Sequence, residues 1–101
     1  MKPTAYLINT SRGPIVDEAD LYEALDRKVI AGAALDVREE EPPKASPLNG
    51  LENILLTPHV AAFTVEAQDK VQESLSEDVD RVLTGKPALR FANFARPKRS
   101  A

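Results

Sequence analysis

"LINTSRGPIV", residues 7–16, carries an apolar run into a polar corner and leaves through Gly-Pro. The segment "AYLIN" (5–9) that feeds it is short, largely apolar and compatible with a β-strand. Directly after it stands Arg12, a cation that is costly to desolvate, at the mouth of what reads as a core strand. Gly13-Pro14 enforces a tight turn that would aim the guanidinium in a fixed direction. Taken alone, Arg12 reads equally as a surface arginine resting on a backbone carbonyl. Its placement acquires a chemical purpose if other reactive residues arrive at the same edge.

On the C-terminal side the pattern changes to helical period. In "VDEADLYEALDRKVI" (16–30), Asp17 suits the N-cap, and Glu18 and Asp20 suit the positive first turn. Leu21, Ala24 and Leu25 make one apolar face, and Arg27 and Lys28 suit the negative end. "AGAALDV" (31–37) returns to a small, apolar, strand-like run. Residues 38–52, "REEEPPKASPLNGLE", are proline-rich and read as a loop holding at most a short turn. "NILLT" (53–57) is a third strand, followed by "PHVAAF". From Thr64 a long helix begins, with Val71, Leu75, Val79 and Val82 along one stripe and Gly85 before Pro87 as its stop.

Strand, helix, strand, loop, strand, helix is the order of a parallel α/β sheet. Ligands of such sheets bind beyond the carboxyl ends of the strands. Arg12 lies past the first strand, Asp36, Glu39 and Glu41 at or past the second, and His59 past the third. Parallel strands therefore bring these residues to one rim.

Composition removes several classes of function. With 101 residues and 43% apolar content, the chain has enough apolar material for one core. A net charge of −3 argues against a nucleic-acid binder, and the basic end "RPKRSA" (96–101) reads as a solvated tail. There is no cysteine, hence no disulfide frame, no thiolate metal site and no catalytic thiol. No apolar run approaches the ~20 residues of a membrane span, and the N-terminus lacks the apolar core of a signal peptide. A soluble cytoplasmic protein is the default expectation.

His59 is the only histidine, the natural proton carrier at neutral pH. A carboxylate bonded to one ring nitrogen would orient the imidazole and leave the other nitrogen for a substrate. Glu39, Glu40 and Glu41 are all candidates, although alone they read as a charge run on a solvated loop. Arg12 offers a planar fork for a carboxylate or a polarised carbonyl oxygen. Asp36, at a strand end, is an acceptor for a ligand amide or hydroxyl, or the cap of the following turn. An arginine, a histidine and an acid behind it suit reversible oxidation of a 2-hydroxy acid. No side chain accepts a hydride, so a nicotinamide cofactor is implied. Neither this chemistry nor the ligand spacing asks for a metal.

"INTSRGPIVDEADLYEAL", "IAGAALDVREEEPP" and "NILLTPHVAAFTVEA" together resemble the C-terminal part of the D-isomer-specific 2-hydroxyacid dehydrogenases, over roughly residues 1 to 93. The resemblance implies a partial Rossmann-like parallel sheet of three strands with flanking helices and a long C-terminal helix. It implies that Arg12 binds substrate, that His59 of "TPH" is the acid/base, and that Glu41 of the E-x-E-P pattern pairs with it. Thr10, Ser11 and Arg12 correspond to the segment near the nicotinamide half of the cofactor. Asp36 corresponds to an acidic contact on that side, and His59 to Ala62 to a further cofactor-lining stretch. The cofactor implied is NAD, with NADP left open, and the assembly implied is a homodimer acting on a small 2-hydroxy or 2-keto acid. Residues 1–63 then form the C-terminal half of the NAD-binding domain. The helix at 64–85 leads toward a substrate domain, and 86–101 form a tail.

Two positions depart from the family pattern: Arg38 stands where many members carry an aromatic, and Ala62 where several have glycine. No G-x-G-x-x-G followed by an acidic residue occurs. Met1-Lys2-Pro3 corresponds to an internal stretch of the family, so the resemblance implies a C-terminal piece of a longer enzyme. Such a piece is expected to be marginal, self-associating or partner-dependent, and inactive alone. The alternatives are a non-catalytic NAD(H)-binding module of the corepressor type and an inactive truncated remnant.

Overall fold

Short apolar runs separated by a helix or a long loop pair in parallel, because a crossover returns the chain to the same end of the sheet. A computed structural model describes residues 1–91 and places β1 at Tyr6–Asn9, β2 at Gly32–Leu35 and β3 at Ile54–Leu56. All pairings are parallel, as the sequence reading expects, and the order is β1-β2-β3. In register, Leu7, Ala33 and Ile54 form one row of side chains, and Asn9, Leu35 and Leu56 another. Both rows belong to the face that meets the core. The opposite face carries the row Ile8, Ala34 and Leu55 with Tyr6 beside it, and Tyr6, Ile8 and Leu55 are exposed.

The chain divides into two units, Met1–Ala61 and Ala62–Ala101. In the first, α1 (Glu18–Asp26) lays Leu21 and Leu25 against Ile30, Ala33, Leu35 and Leu48, with Leu7, Val16, Ile54 and Leu56 packed around them. Asp17 caps α1 as its sequence position predicts, its Oδ1 accepting from the Ala19 and Asp20 N–H groups. The helix ends four residues before the apolar run does. Val29 N–H donates to the Ala24 carbonyl and Lys28 N–H to Leu25, closing a C-terminal cap that forces Lys28 to φ 54°. β2 likewise stops before the apolar run ends, because Asp36 turns its carboxylate toward the chain after β3. The proline-rich loop holds one short turn, Pro47–Gly50, anchored by the buried Leu48.

In the second unit, α2 spans Val65–Leu83, with the Thr64 hydroxyl accepting from Ala67 N–H. Its stop is at Gly85, φ 78°. The stripe Val71, Leu75, Val79 and Val82 exists, and all four are exposed; no residue of α2 is buried. Beyond the helix, Leu89 and Arg90 donate their backbone N–H groups to the Asp78 carboxylate. The basic end, residues 96–101, lies outside the described residues. Among the described residues, no helix is long and apolar enough to cross a membrane.

Candidate functional site

Three parallel strands release the chain at one edge, and each exit is shaped by a side chain. At the end of β1, Asn9 is 6% exposed and holds the corner from inside. Its Oδ1 accepts from the Ser11 N–H (3.1 Å) and hydroxyl (2.7 Å), and its Nδ2 donates to the Arg12 carbonyl (2.9 Å). This Asx-type turn fixes Thr10, Ser11 and Arg12 at the surface. The Arg12 guanidinium donates to the Ser11 carbonyl (2.8 Å), and among the described residues no acidic side chain pairs with it. The cation is thus left available to an anion from outside.

At the end of β2, Asp36 joins the other two exits. Its backbone N–H donates to the Asn9 carbonyl (3.0 Å). Its carboxylate accepts from the Thr57 hydroxyl (2.7 Å), Val60 N–H (2.9 Å) and Ala61 N–H (3.0 Å). These bonds, the Thr57 hydroxyl foremost, hold the Asp36 carboxyl below the usual carboxylate range. They also enclose His59, whose backbone adopts the left-handed conformation at φ 58°. A non-glycine residue stays there only where its surroundings over-determine it, and the grip of Asp36 on the two following amides supplies that restraint.

Among the three glutamates of the charge run, the structure separates the roles. Glu39 accepts from the Glu18 N–H (2.9 Å) at the start of α1, and Glu40 pairs with Lys44 in solvent (3.0 Å). Glu41 takes His59: Oε2 and Nδ1 lie 2.5 Å apart, while Oε1 accepts from the Arg38 N–H (3.0 Å). The His59 bond first, and the Arg38 N–H second, hold the Glu41 carboxyl below the usual range. The His59 ring is half exposed, and among the described residues Nε2 has no hydrogen-bond partner. The pair borders a cavity of about 600 Å³ whose wall includes Asp36, Arg38, Leu56, Pro58 and Asn49.

Of the residues singled out from the sequence, Glu41 and His59 are in contact, and Asp36 bonds to the His59 segment. Arg12 stands on the far side of β2 from His59; strand spacing alone puts the two exits about 10 Å apart. Ala62 opens the second unit, where its carbonyl accepts from Gln68 Nε2. Sequence reasoning passed over Asn9, Thr57, Glu18 and the structural part of Arg38. Asn9 was readable, since Asn before a small polar residue at a strand end is an Asx-turn signal. The other three act through partners about twenty residues away, which no local pattern announces.

Comparison with known proteins identifies a family and a fold. Residues 1–61 match the family described as D-isomer specific 2-hydroxyacid dehydrogenase, NAD binding domain. The chain is 50% identical over 92 residues to a glyoxylate reductase of Thermofilum pendens, covering 88% of this chain and 27% of the relative. It is 46% identical over 94 residues to a D-3-phosphoglycerate dehydrogenase of Methanocaldococcus jannaschii, covering 93% of this chain and 18% of the relative. A solved D-isomer specific 2-hydroxyacid dehydrogenase of Xanthobacter autotrophicus, in complex with NADPH and MES, is similar at TM-score 0.79 and 39% identity. That match covers 92% of this chain and 38% of the other. The chain therefore spans well under half the length of each of these proteins.

Proposed function

This chain belongs to the D-isomer specific 2-hydroxyacid dehydrogenase family through its NAD-binding domain, and from that premise we propose that it carries the acid/base side of an NAD(P)-dependent oxidoreductase. Its fold is the Rossmann-like α/β arrangement of that family. The reaction would interconvert a D-2-hydroxy acid and its 2-keto acid. The observation that supports this most is the Glu41–His59 hydrogen bond at the carboxyl rim of a parallel sheet.

In the oxidation direction, Nε2 of His59 takes the hydroxyl proton of the substrate; in reduction it returns one to the carbonyl oxygen. Glu41 holds Nδ1 and so fixes the ring, leaving Nε2 for the substrate. Arg12 binds the substrate carboxylate or carbonyl oxygen through its planar fork. A bound nicotinamide supplies or accepts the hydride at the carbinol carbon.

The rim fits the nicotinamide half of such a cofactor. Thr10 offers its hydroxyl, the Ser11 hydroxyl oxygen keeps acceptor capacity while its proton serves Asn9, and Leu56 and Pro58 offer apolar wall. The Asp36 carboxylate has about four acceptor positions; three bonds occupy it, which leaves about one for a carboxamide. The glycine pattern that cradles a pyrophosphate does not occur in these 101 residues. Unaided turnover is accordingly not expected, because hydride transfer tolerates little misplacement of its partners.

The test is a fusion of this chain behind the N-terminal part of the Thermofilum pendens reductase, replacing the matching segment. NADH and NADPH oxidation would be followed with glyoxylate, hydroxypyruvate and phosphohydroxypyruvate. Turnover that falls about 10²–10⁴-fold in His59→Ala supports the reading. Dinucleotide binding without turnover would instead indicate a non-catalytic binding module. Sedimentation of the same preparation reads out the homodimer.

A further inference from the structure

Arg38 is charged and 8% exposed, a combination that asks for an explanation. Its guanidinium forks onto Glu18 at the start of α1, Nε to Oε1 at 2.8 Å and Nη2 to Oε2 at 3.1 Å. Glu18 Oε1 also accepts from the Glu39 N–H at 3.0 Å. The neighbouring N–H, that of Arg38 itself, donates to Glu41 Oε1. Two consecutive backbone donors thus serve two glutamates, one on α1 and one bonded to His59. From the other side the Arg38–Glu39 peptide, which carries the first of these donors, is met by Gly13. A Cβ there would lie 1.7 Å from the Arg38 carbonyl oxygen and 2.1 Å from its carbon, so no side chain fits.

We propose that Arg38, held by Glu18, is a positioning residue for the Glu41–His59 pair, and that Gly13 completes its seat beside Arg12. The proposal rests on reading Glu41 and His59 as the acid/base pair. The argument is geometric. Glu41 aims at Nδ1 only while its other oxygen is bonded to the Arg38 N–H. That N–H is on the residue whose own guanidinium and following peptide are gripped between the first residue of α1 and the turn after β1. Solvent exposures of 7% for the Arg38 side chain and 18% for Glu18 make the pair expensive to desolvate. A buried ion pair is therefore weak as a source of stability and better understood as a device that fixes one arrangement. The bidentate fork fixes direction as well as distance, which a lysine at this position would not reproduce.

The experiment follows the Glu41 carboxyl carbon by NMR through an acid titration of the 101-residue chain in dilute solution, with thermal unfolding of every variant as control. Arg38→Ala removes a positive charge and Glu18→Gln a negative one, so their fields push the Glu41 midpoint in opposite directions, up and down. Gly13→Ala changes no charge. If the peptide positions Glu41, all three raise the midpoint toward the ordinary carboxylate range, and Arg38→Lys falls between Arg38→Ala and the parent. If Glu18→Gln lowers the midpoint and Gly13→Ala leaves it unmoved, the proposal is overturned, whatever happens to the melting temperature. Should Arg38→Ala or Gly13→Ala not fold, the sign of the Glu18→Gln shift decides, up in favour of the proposal and down against it, with Arg38→Lys as the second readout. His59→Asn separates the two levels. If it leaves Glu41 unmoved, the acid/base reading itself fails. If it raises Glu41 while the Gly13 and Glu18 variants do not, only the positioning role is lost.

Discussion

His59 stands in a backbone conformation that costs a non-glycine residue of order 1–3 kcal/mol, and Asp36 is what keeps it there. Asp36→Ala is expected to release Val60 and Ala61, seen as faster hydrogen exchange of both amides with the β1–β2 ladder still protected. Equal protection in the variant would show that the turn is held by something else. The acid response follows from the direction of the shifts. Asp36, Glu41 and Glu18 are all held below the usual carboxylate range, each by hydrogen bonds made to the ionised form. Their contribution to stability is therefore complete above the ordinary carboxylate range and is lost as pH falls through the lowered folded values. The site should stay intact through mild acid and open only below that range. Asp36→Asn should reduce the pH dependence of unfolding over the acid interval, measured by thermal melts at successive pH values. At this scale the sequence was partly legible. His59, Arg12 and the need for an acid could be proposed from residue chemistry, which left Glu39, Glu40 and Glu41 open; only the family resemblance named Glu41. That choice is made by Glu18, which engages the Arg38–Glu39 segment at a separation of about twenty positions.

The elements themselves were readable because each has a local cause. The N-cap of α1 is a clear case. Asp17→Ala should destabilise the chain by about 1 kcal/mol in thermal unfolding, since two N–H donors lose their acceptor. The C-terminal cap was not legible in local pattern, because a lysine occupies a position that glycine fills at no steric cost. Lys28→Gly should stabilise by about 1 kcal/mol, the reverse of what glycine does inside a helix. A lower melting temperature in that variant would mean that the Lys28 side chain makes contacts worth more than its backbone strain. Within the core, Leu25 is 1% exposed, and Leu25→Ala should cost roughly 2–5 kcal/mol. Strand limits were read too generously because apolar character continues beyond the paired residues. Val37, for example, is buried at 2% but lies past the ladder.

Across the whole chain, apolar surface exceeds what its own elements cover. The row Ile8, Ala34 and Leu55, with Tyr6 beside it, is one side of an α/β sheet, and both faces of a parallel sheet are ordinarily buried. Among the described residues β1 and β3 each have one unpaired edge, which adds a template for strand addition. The isolated chain is expected to self-associate as concentration rises, measured by sedimentation. Ile8→Lys combined with Leu55→Lys should restore the monomer at net charge near neutral or below. A parent that stays monomeric at every concentration would show that this row is tolerated in water. One arrangement also has a meaning for how the molecule can be altered. The acid of the Glu41–His59 pair is secured by the Arg38 N–H, just past the end of β2 at Leu35, before the proline-rich stretch has run its course. Chain added between Lys44 and Ala45 would meet only the slow logarithmic cost of a longer excursion, about 0.6 kcal/mol per doubling. The far wall of the adjoining cavity can therefore be rebuilt by insertion, changing what fits there while the proton-handling residues keep their places.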